Sequence, residues 1–214
     1  MKAKSIKGNS PQEIKAALEN AMSDGYTPTL AIIFISVKQD HKAICKLMDD
    51  ASIAVFGCTT NGEFIDEATE KGSIAILLLD INRSYFQIYF EEYPEKNYRE
   101  ITNRIAQKVK ERFSAPAFFI AGSNMETDAE ELLFGFEDVV GKEVNVYGCM
   151  AGDDFTFSDQ FVFTNEYSSS RGLVCLALDE EKIMIRGVAT CGWRAVGTLR
   201  TVTKSSGNHV YTVD

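Results

Sequence analysis

The chain has 214 residues, of which 45% are hydrophobic and 25% charged, and its formal net charge is −9. An acidic chain of this kind lacks the basic surface that binds nucleic acid or an anionic membrane. Its apolar runs fall far short of the ~20 residues of a transmembrane helix, and the N-terminus has no apolar signal-peptide core. Its five cysteines have no CxxC spacing, which argues against a disulfide framework or a zinc ribbon. We therefore expect a cytoplasmic protein that binds neither nucleic acid nor membrane and holds no metal or cofactor.

The chain begins with a predicted helix and a predicted strand. Ser10, Pro11 and Glu13 are typical of a helix start, and apolar residues recur at helical spacing until Gly25. Residues 29–36 form a short, β-branched apolar run, which indicates a strand buried on both faces.

A second helix and a second strand follow. Residues 43–48 carry apolar side chains at helical spacing, and 53–56 is a short apolar strand that runs into residues 57–63. Residues 72–80 and 84–91 then predict an antiparallel hairpin.

The second half repeats this order of elements. Residues 98–113 predict a helix, 117–121 a buried strand and 126–136 another helix. A strand at 144–147 then runs into residues 148–154, much as the strand at 53–56 runs into its own glycine turn. A chance likeness between two β-α-β patterns is the alternative interpretation.

Matching Gly-Cys pairs support a duplicated unit, because Cys58 and Cys149 lie ninety-one positions apart, each after a glycine and a short strand. Residues 160–165 predict one extra strand, and 172–189 predict a closing hairpin. The expected fold is α/β, a mixed sheet built from two pseudo-repeated halves with helices packed outside.

The whole chain, 1–214, is expected to form one domain. Its pseudo-repeats are expected to cover about 10–92 and 96–190, and 191–214 is expected to be a closing segment.

Four motifs in this order resemble the N-terminal FIST domain of bacterial signal-transduction proteins. They are residues 56–63, 147–153, 171–178, and 191–197 running on into 202–208. The resemblance implies a sensory domain for small ligands, with amino acids as candidates. It also implies that 191–214 leads to a C-terminal FIST domain absent from this chain. That domain is one implied partner, and the other is an output module such as a histidine kinase, a chemotaxis receptor or a nucleotide cyclase. It carries over no catalytic residues.

The first Gly-Cys turn is the leading candidate for a ligand site, because open α/β sheets bind ligands beyond the carboxyl ends of their strands. Its glycines can expose backbone N–H groups, its threonines offer hydroxyls, and its glutamate can accept from an ammonium group. The candidate residues are Gly57, Cys58, Thr59, Thr60, Gly62 and Glu63. A tight turn with purely local hydrogen bonds is the alternative.

The second turn is the expected counterpart of the first. Its candidate residues are Gly148, Cys149, Gly152, Asp153 and Asp154. The two carboxylates suit an ammonium group or a hard cation, although adjacent carboxylates are more often a solvated turn. If the halves pack about a pseudo-twofold axis, the two turns face one cleft; a structure that places them at opposite ends of the molecule would contradict this.

Trp193 and Arg194 are further ligand candidates, the first by stacking and the second by pairing with a carboxylate. The alternatives are that Trp193 covers the core and that Arg194 is a surface charge.

Two other functions stay open. One is a hydrolase or transferase that uses Cys58, although neither His41 nor His209 follows a strand edge where it would serve as the base. The other is a protein-interaction module that binds no ligand.

Overall fold

The computed structural model describes residues 1–65, 68–188, 190–207 and 209–214. Its helices are α1 (Pro11–Met22), α2 (His41–Asp50), α3 (Tyr98–Lys110) and α4 (Ala129–Val140). Its strands are β1 (Lys2–Gly8), β2 (Leu30–Ser36), β3 (Ala54–Thr60), β4 (Glu63–Ile65), β5 (Ala68–Glu70), β6 (Ile74–Asp80), β7 (Phe86–Glu92), β8 (Pro116–Gly122), β9 (Val146–Met150), β10 (Val162–Phe163), β11 (Ser168–Ser169), β12 (Gly172–Asp179), β13 (Val202–Ser206) and β14 (His209–Val213). None of the described helices combines the length and the apolar character needed to cross a membrane.

Two mixed sheets stack face to face, and helices cover their outer faces. The first sheet has the order β1-β6-β2-β3-β10-β11, and the second has the order β7-β12-β8-β9. One core cluster joins α1 and α2 to the first sheet, another joins α3 and α4 to the second, and a third lies between the sheets. The predicted α/β class with mixed sheets and outer helices is therefore confirmed, with two sheets where one was expected.

Strand alternation explains this layering, because successive side chains of a strand point to opposite faces. In β2, Ile33 and Ile35 belong to the core beneath the helices. Ile32 and Phe34, which alternate with these residues along the strand, pack in the core between the sheets. The run 29–36 is continuously apolar because both of its faces are buried.

The two sheets contain the same succession of elements. In each one, two parallel strands (β2 with β3, β8 with β9) lie beside an antiparallel pair (β6 with β1, β12 with β7). A helix leads into each parallel strand or joins it to the next. We call the elements from β1 to β6 the first unit and those that begin with β7 the second unit.

This division shows that the predicted hairpin of 72–80 with 84–91 is wrong. The first of these strands, β6, pairs with β1 and β2, whereas β7 pairs with β12 in the other sheet. Residues 81–85 are the crossover between the sheets, and the Ile81 N–H donates to Thr29 Oγ1 at 3.0 Å. The strand β1, which lies before the predicted start of the first repeat at about residue 10, is the true partner of β6.

The segment after β9 crosses back to the first sheet. The predicted extra strand at 160–165 is present as β10, which pairs with β3 and places Val162 opposite Cys58 and Phe163 opposite Gly57. The predicted hairpin at 172–189 is wrong: β12 is a strand, but residues 183–188 have no regular structure, and Ala189 lies outside the described residues.

The C-terminal part of the described chain extends into solvent. Trp193 is 91% exposed and Leu199 is 97% exposed. The β13–β14 hairpin is exposed along both strands, and the motif residue Asn208 lies outside the described residues.

Candidate functional site

The two Gly-Cys segments are strand ends rather than turns, and they meet between the sheets. Gly57 to Thr60 close β3, and Gly148 to Met150 close β9. The sulfur atoms of Cys58 and Cys149 lie 4.0 Å apart, although ninety-one positions separate the two residues in the chain. The two predicted turns therefore lie side by side rather than at opposite ends of the molecule.

A cavity of about 640 Å³ opens beside this meeting point, and we call it the cleft. Six of the sequence-predicted ligand residues line it: Thr60, Gly62, Glu63, Gly148, Cys149 and Gly152. Apolar side chains that the sequence did not single out form most of the remaining wall: Phe34, Phe64, Ile65, Ala75, Ile76, Leu77, Phe119 and Met150.

The cleft exists because the second sheet leaves part of the first sheet uncovered. Ser5 of β1 and Leu77 of β6 line it, and Leu77 keeps 37% of its surface exposed. The β4–β5 hairpin stands at one side and contributes Phe64. The edge strand β7 of the second sheet is covered instead, because its Phe90 stacks on Tyr167 beside β11 of the first sheet, with ring centroids 5.6 Å apart.

A buried carboxylate marks the polar end of the cleft. Glu63 is 2% exposed, and its Oε1 accepts from Thr60 Oγ1 at 2.6 Å. Its Oε2 accepts from the N–H and the hydroxyl of Ser73, both at 3.0 Å. Since each carboxylate oxygen has two lone pairs, Oε1 can accept one more hydrogen bond from a ligand.

Backbone contacts hold the two strand ends together. The Gly152 N–H donates to the Thr59 carbonyl at 2.7 Å, and the Asp153 N–H donates to Asn61 Oδ1 at 2.8 Å. A Cβ atom on Gly152 would lie 2.6 Å from that same Oδ1, inside contact distance. Glycine is therefore required here so that the second unit can approach the first.

The two aspartates of the second segment do not line the cleft. Asp153 is 4% exposed, and its Oδ2 accepts from the Ser158 N–H at 2.9 Å, which fixes the loop before β10. Asp154 accepts from the Ser36 hydroxyl and lies 3.7 Å from Lys38 Nζ. Among the residues that the structure describes, no group of three or more His, Cys, Asp or Glu side chains is placed to hold a metal ion.

Three residues of the first segment support the fold rather than line the cleft. Gly57 packs against the ring of Phe163, which a Cβ atom would approach to 2.0 Å. Cys58 is fully buried, and the Thr59 N–H donates to the Phe161 carbonyl at 2.8 Å. Gly57 therefore does not offer the free N–H group that the sequence suggested, because β10 pairs with that edge of β3.

Trp193 and Arg194 lie outside the cleft lining. Both belong to the exposed C-terminal segment, where Trp193 neither stacks in the cleft nor covers the core. The interpretations of Trp193 as a stacking residue and as a core residue are both unsupported in this structure.

The two facing thiols are electrostatically different. A hydrogen bond joins the Cys58 and Cys149 thiols, and this bond together with burial raises the pKa of Cys58 well above its usual value. The same hydrogen bond lowers the pKa of Cys149. His41 stacks on Phe161 and Phe163 and contacts the Ser168 hydroxyl, so it is not the base that a nucleophilic Cys58 would need.

A family model described as FIST N domain matches residues 29–214. The matched residues include both strand ends of the cleft, whereas β1 and α1 precede them. No curated protein matches the chain.

Proposed function

Because the chain belongs to the FIST N domain family, a family of sensory domains in signal transduction, we propose that the cleft binds a small ligand and reports its presence to a partner. The observation that carries the proposal is the common cavity of the two Gly-Cys strand ends. A ligand there touches both sheets, so its binding free energy can favour one relative position of the sheets over another.

The lining indicates a ligand with one apolar end and one polar end. Phe34, Leu77 and Phe119 offer an apolar wall, which contributes roughly 25 cal/mol for each Å² of apolar ligand surface removed from water. At the other end, Glu63 brings a negative charge and Thr60 a hydroxyl. An amino acid with an apolar side chain fits this arrangement, with its ammonium group directed to Glu63.

A thermal-shift screen of the purified chain against amino acids tests this function. A ligand at a hundred times its dissociation constant stabilises the folded chain by ~2.7 kcal/mol, which is visible as a rise in Tm. We expect the hit to be lost in Glu63→Gln, because the neutral amide no longer attracts an ammonium group. A Tm rise that survives this substitution unchanged would place the ligand elsewhere.

A matched pair of tryptophan substitutions separates binding in the cleft from binding elsewhere. Leu77 and Leu133 are 37% and 40% exposed, but only Leu77 lines the cleft. Leu77→Trp fills the cleft and is expected to abolish the Tm rise, whereas Leu133→Trp on α4 is expected to leave it intact. Equal loss in both variants would contradict the assignment of the site.

The exposed C-terminal segment supports a second function, docking onto a partner domain. Val188, Trp193, Val196 and Leu199 are each more than 85% exposed, an unusual density of free apolar side chains. We propose that this segment packs against a C-terminal FIST domain. Mixing the chain with such a domain is expected to shift the Trp193 emission to the blue, and Leu199→Ser is expected to weaken binding; unchanged emission at saturating concentration would refute this docking.

A further inference from the structure

We propose that Cys58 and Cys149 form a redox-active dithiol, which a low-molecular-weight disulfide entering the cleft oxidises to a bond between the two sheets. The inference goes beyond ligand sensing and does not depend on it. It stands first on geometry, since the two sulfur atoms already lie 4.0 Å apart. Disulfide formation needs them about 2.05 Å apart, so the bond requires rotation of the side chains and a small approach of the strands.

The two thiols are placed for different roles. Cys149 belongs to the open edge strand β9 and lines the cleft, where a small disulfide can reach it. Cys58 lies directly behind it and is 0% exposed, so it can meet only a sulfur that is already bound to Cys149. This is the arrangement of an attacking thiol with a resolving thiol.

The electrostatics agree with that order of events. The hydrogen bond between the two thiols lowers the pKa of Cys149, and the thiolate is the form that attacks a disulfide. Cys58 keeps its proton until the first exchange removes the negative charge beside it. A buried thiol next to a mixed disulfide then completes the reaction.

The reaction balances in two exchanges. The Cys149 thiolate attacks one sulfur of R–S–S–R, forming a Cys149–S–S–R bond and releasing one RS⁻. Cys58 then attacks the Cys149 sulfur and expels the second RS⁻, which takes up the Cys58 proton as it leaves. The two protein thiols have then lost two protons and two electrons, and the small disulfide has become two thiols.

The other three cysteines lack this arrangement. Cys45 and Cys175 are buried in the helix-facing cores, where burial raises the pKa of each thiol, that of Cys45 to about 12. Cys191 is exposed in the C-terminal segment, and among the described residues it has no neighbouring thiol within hydrogen-bond distance. A bond specific to Cys58 and Cys149 is therefore the expected product.

Oxidised glutathione is the probe for the test, and Cys191→Ser is the background because it removes the other exposed thiol. The reduced 214-residue chain is treated with the probe, quenched with acid and digested without reductant. Mass spectrometry is expected to show the Cys58 peptide joined to the Cys149 peptide, and the intact chain is expected to lose two hydrogen masses. A glutathione adduct that persists on Cys149 with Cys58 free, or no reaction at either thiol, would overturn the proposal.

A second variant checks the division of roles. With Cys58→Ser added to the same background, the first exchange occurs but cannot be resolved, so a stable glutathione adduct on Cys149 is expected. With Cys149→Ser instead, Cys58 is expected to stay unmodified. Modification of Cys58 in that variant would contradict the roles, and the peptide map of the parent decides the main question even if a variant fails to fold.

Discussion

Gly57→Ala is the substitution whose effect follows most directly from the structure. The added Cβ atom would lie 2.0, 2.5 and 2.6 Å from three ring carbons of Phe163. Ordinary contacts of a Cβ atom are longer than 3.4 Å, so the ring has to move by more than 1 Å. Phe163 is fully buried and stacks on His41 with ring centroids 5.0 Å apart, so the ring cannot move alone.

Overpacking of this kind costs about 1–3 kcal/mol, and we expect the upper end because three ring atoms overlap. For a chain of this length each kcal/mol lowers Tm by about 2–4 °C, so the expected fall is roughly 6–12 °C. Urea unfolding followed by circular dichroism measures the free energy, and a thermal scan measures Tm. Ligand binding in the cleft is expected to survive at temperatures below the transition, because Gly57 does not line it.

A double-mutant cycle with Phe163→Val tests the cause. Valine lacks all three overlapping ring atoms, and alone it leaves a cavity that costs about 2–4 kcal/mol. The double variant is expected to be more stable than the sum of the two single effects by at least ~1 kcal/mol. Strict additivity of the two effects would refute the packing role. A Gly57→Ala variant that is as stable as the parent but unable to bind ligand would also refute it, and would indicate that Gly57 belongs to the ligand site.

Gly148→Ala is a matched comparison, because this glycine holds the equivalent place in β9. There the added Cβ atom would lie 2.1 Å from the backbone oxygen of Ile120. Truncating the Ile120 side chain cannot relieve a clash with backbone, so no rescue is expected from Ile120→Ala.

Three further outcomes are expected. Oxidation of Cys58 and Cys149 closes a loop of 91 residues, which stabilises the chain by at most roughly 4–5 kcal/mol; equal urea midpoints for the reduced and oxidised chains would contradict a bond between the sheets. Burial lowers the pKa of His41 from 6.5. The contribution of His41 to stability is therefore full above pH 6.5 and is lost as the pH falls through the lower pKa of the folded state. Between pH 7.5 and 5.5 the parent is expected to lose more stability than His41→Gln, and equal losses in the two proteins would contradict this. The Trp193 emission of the isolated chain is expected to match free tryptophan in water and to be fully accessible to iodide, and a protected, blue-shifted emission would show that the segment is folded back.

Much of the fold could be predicted because local patterns decide it. The Ser10 hydroxyl accepts from the Glu13 N–H at 3.2 Å, as the start of the first helix required. The Glu13 carboxylate reaches back one residue further than expected, to the Asn9 N–H at 2.9 Å. Gly25 follows the helix with a φ of +83°, as its position suggested. These signals are local, so one sequence contains them.

The strand pairing could not be predicted, because the partners are distant. The segment β1 contains three lysines, and only Ile6 of its non-glycine side chains is buried, so its apolar pattern is weak. When β1 is not recognised as a strand, the strand that follows β6 directly in the chain is the obvious partner, and a hairpin is the natural inference. Charged edge strands of this kind are difficult to recognise for the same reason that they resist aggregation.

Only part of the candidate site could be predicted from the sequence. Gly-Cys segments after strands located Thr60, Glu63 and Cys149, because strand ends can be read from local pattern. The aromatic wall could not be found, since Phe34 and Phe119 look like any other core residue of a buried strand. They reach the cleft only because the second sheet leaves part of the first sheet uncovered.

The passage of β10 into the first sheet has a consequence for synthesis on the ribosome. Phe163 belongs to the core that α1 and α2 share with the first sheet, yet about 80 residues separate it from the end of β6. At translation speeds of about 5–20 residues per second, the N-terminal unit waits on the order of 4–16 s for the side chain that completes its core. During that interval the edge of β3 is open, and the nascent unit is most exposed to chaperones and to aggregation.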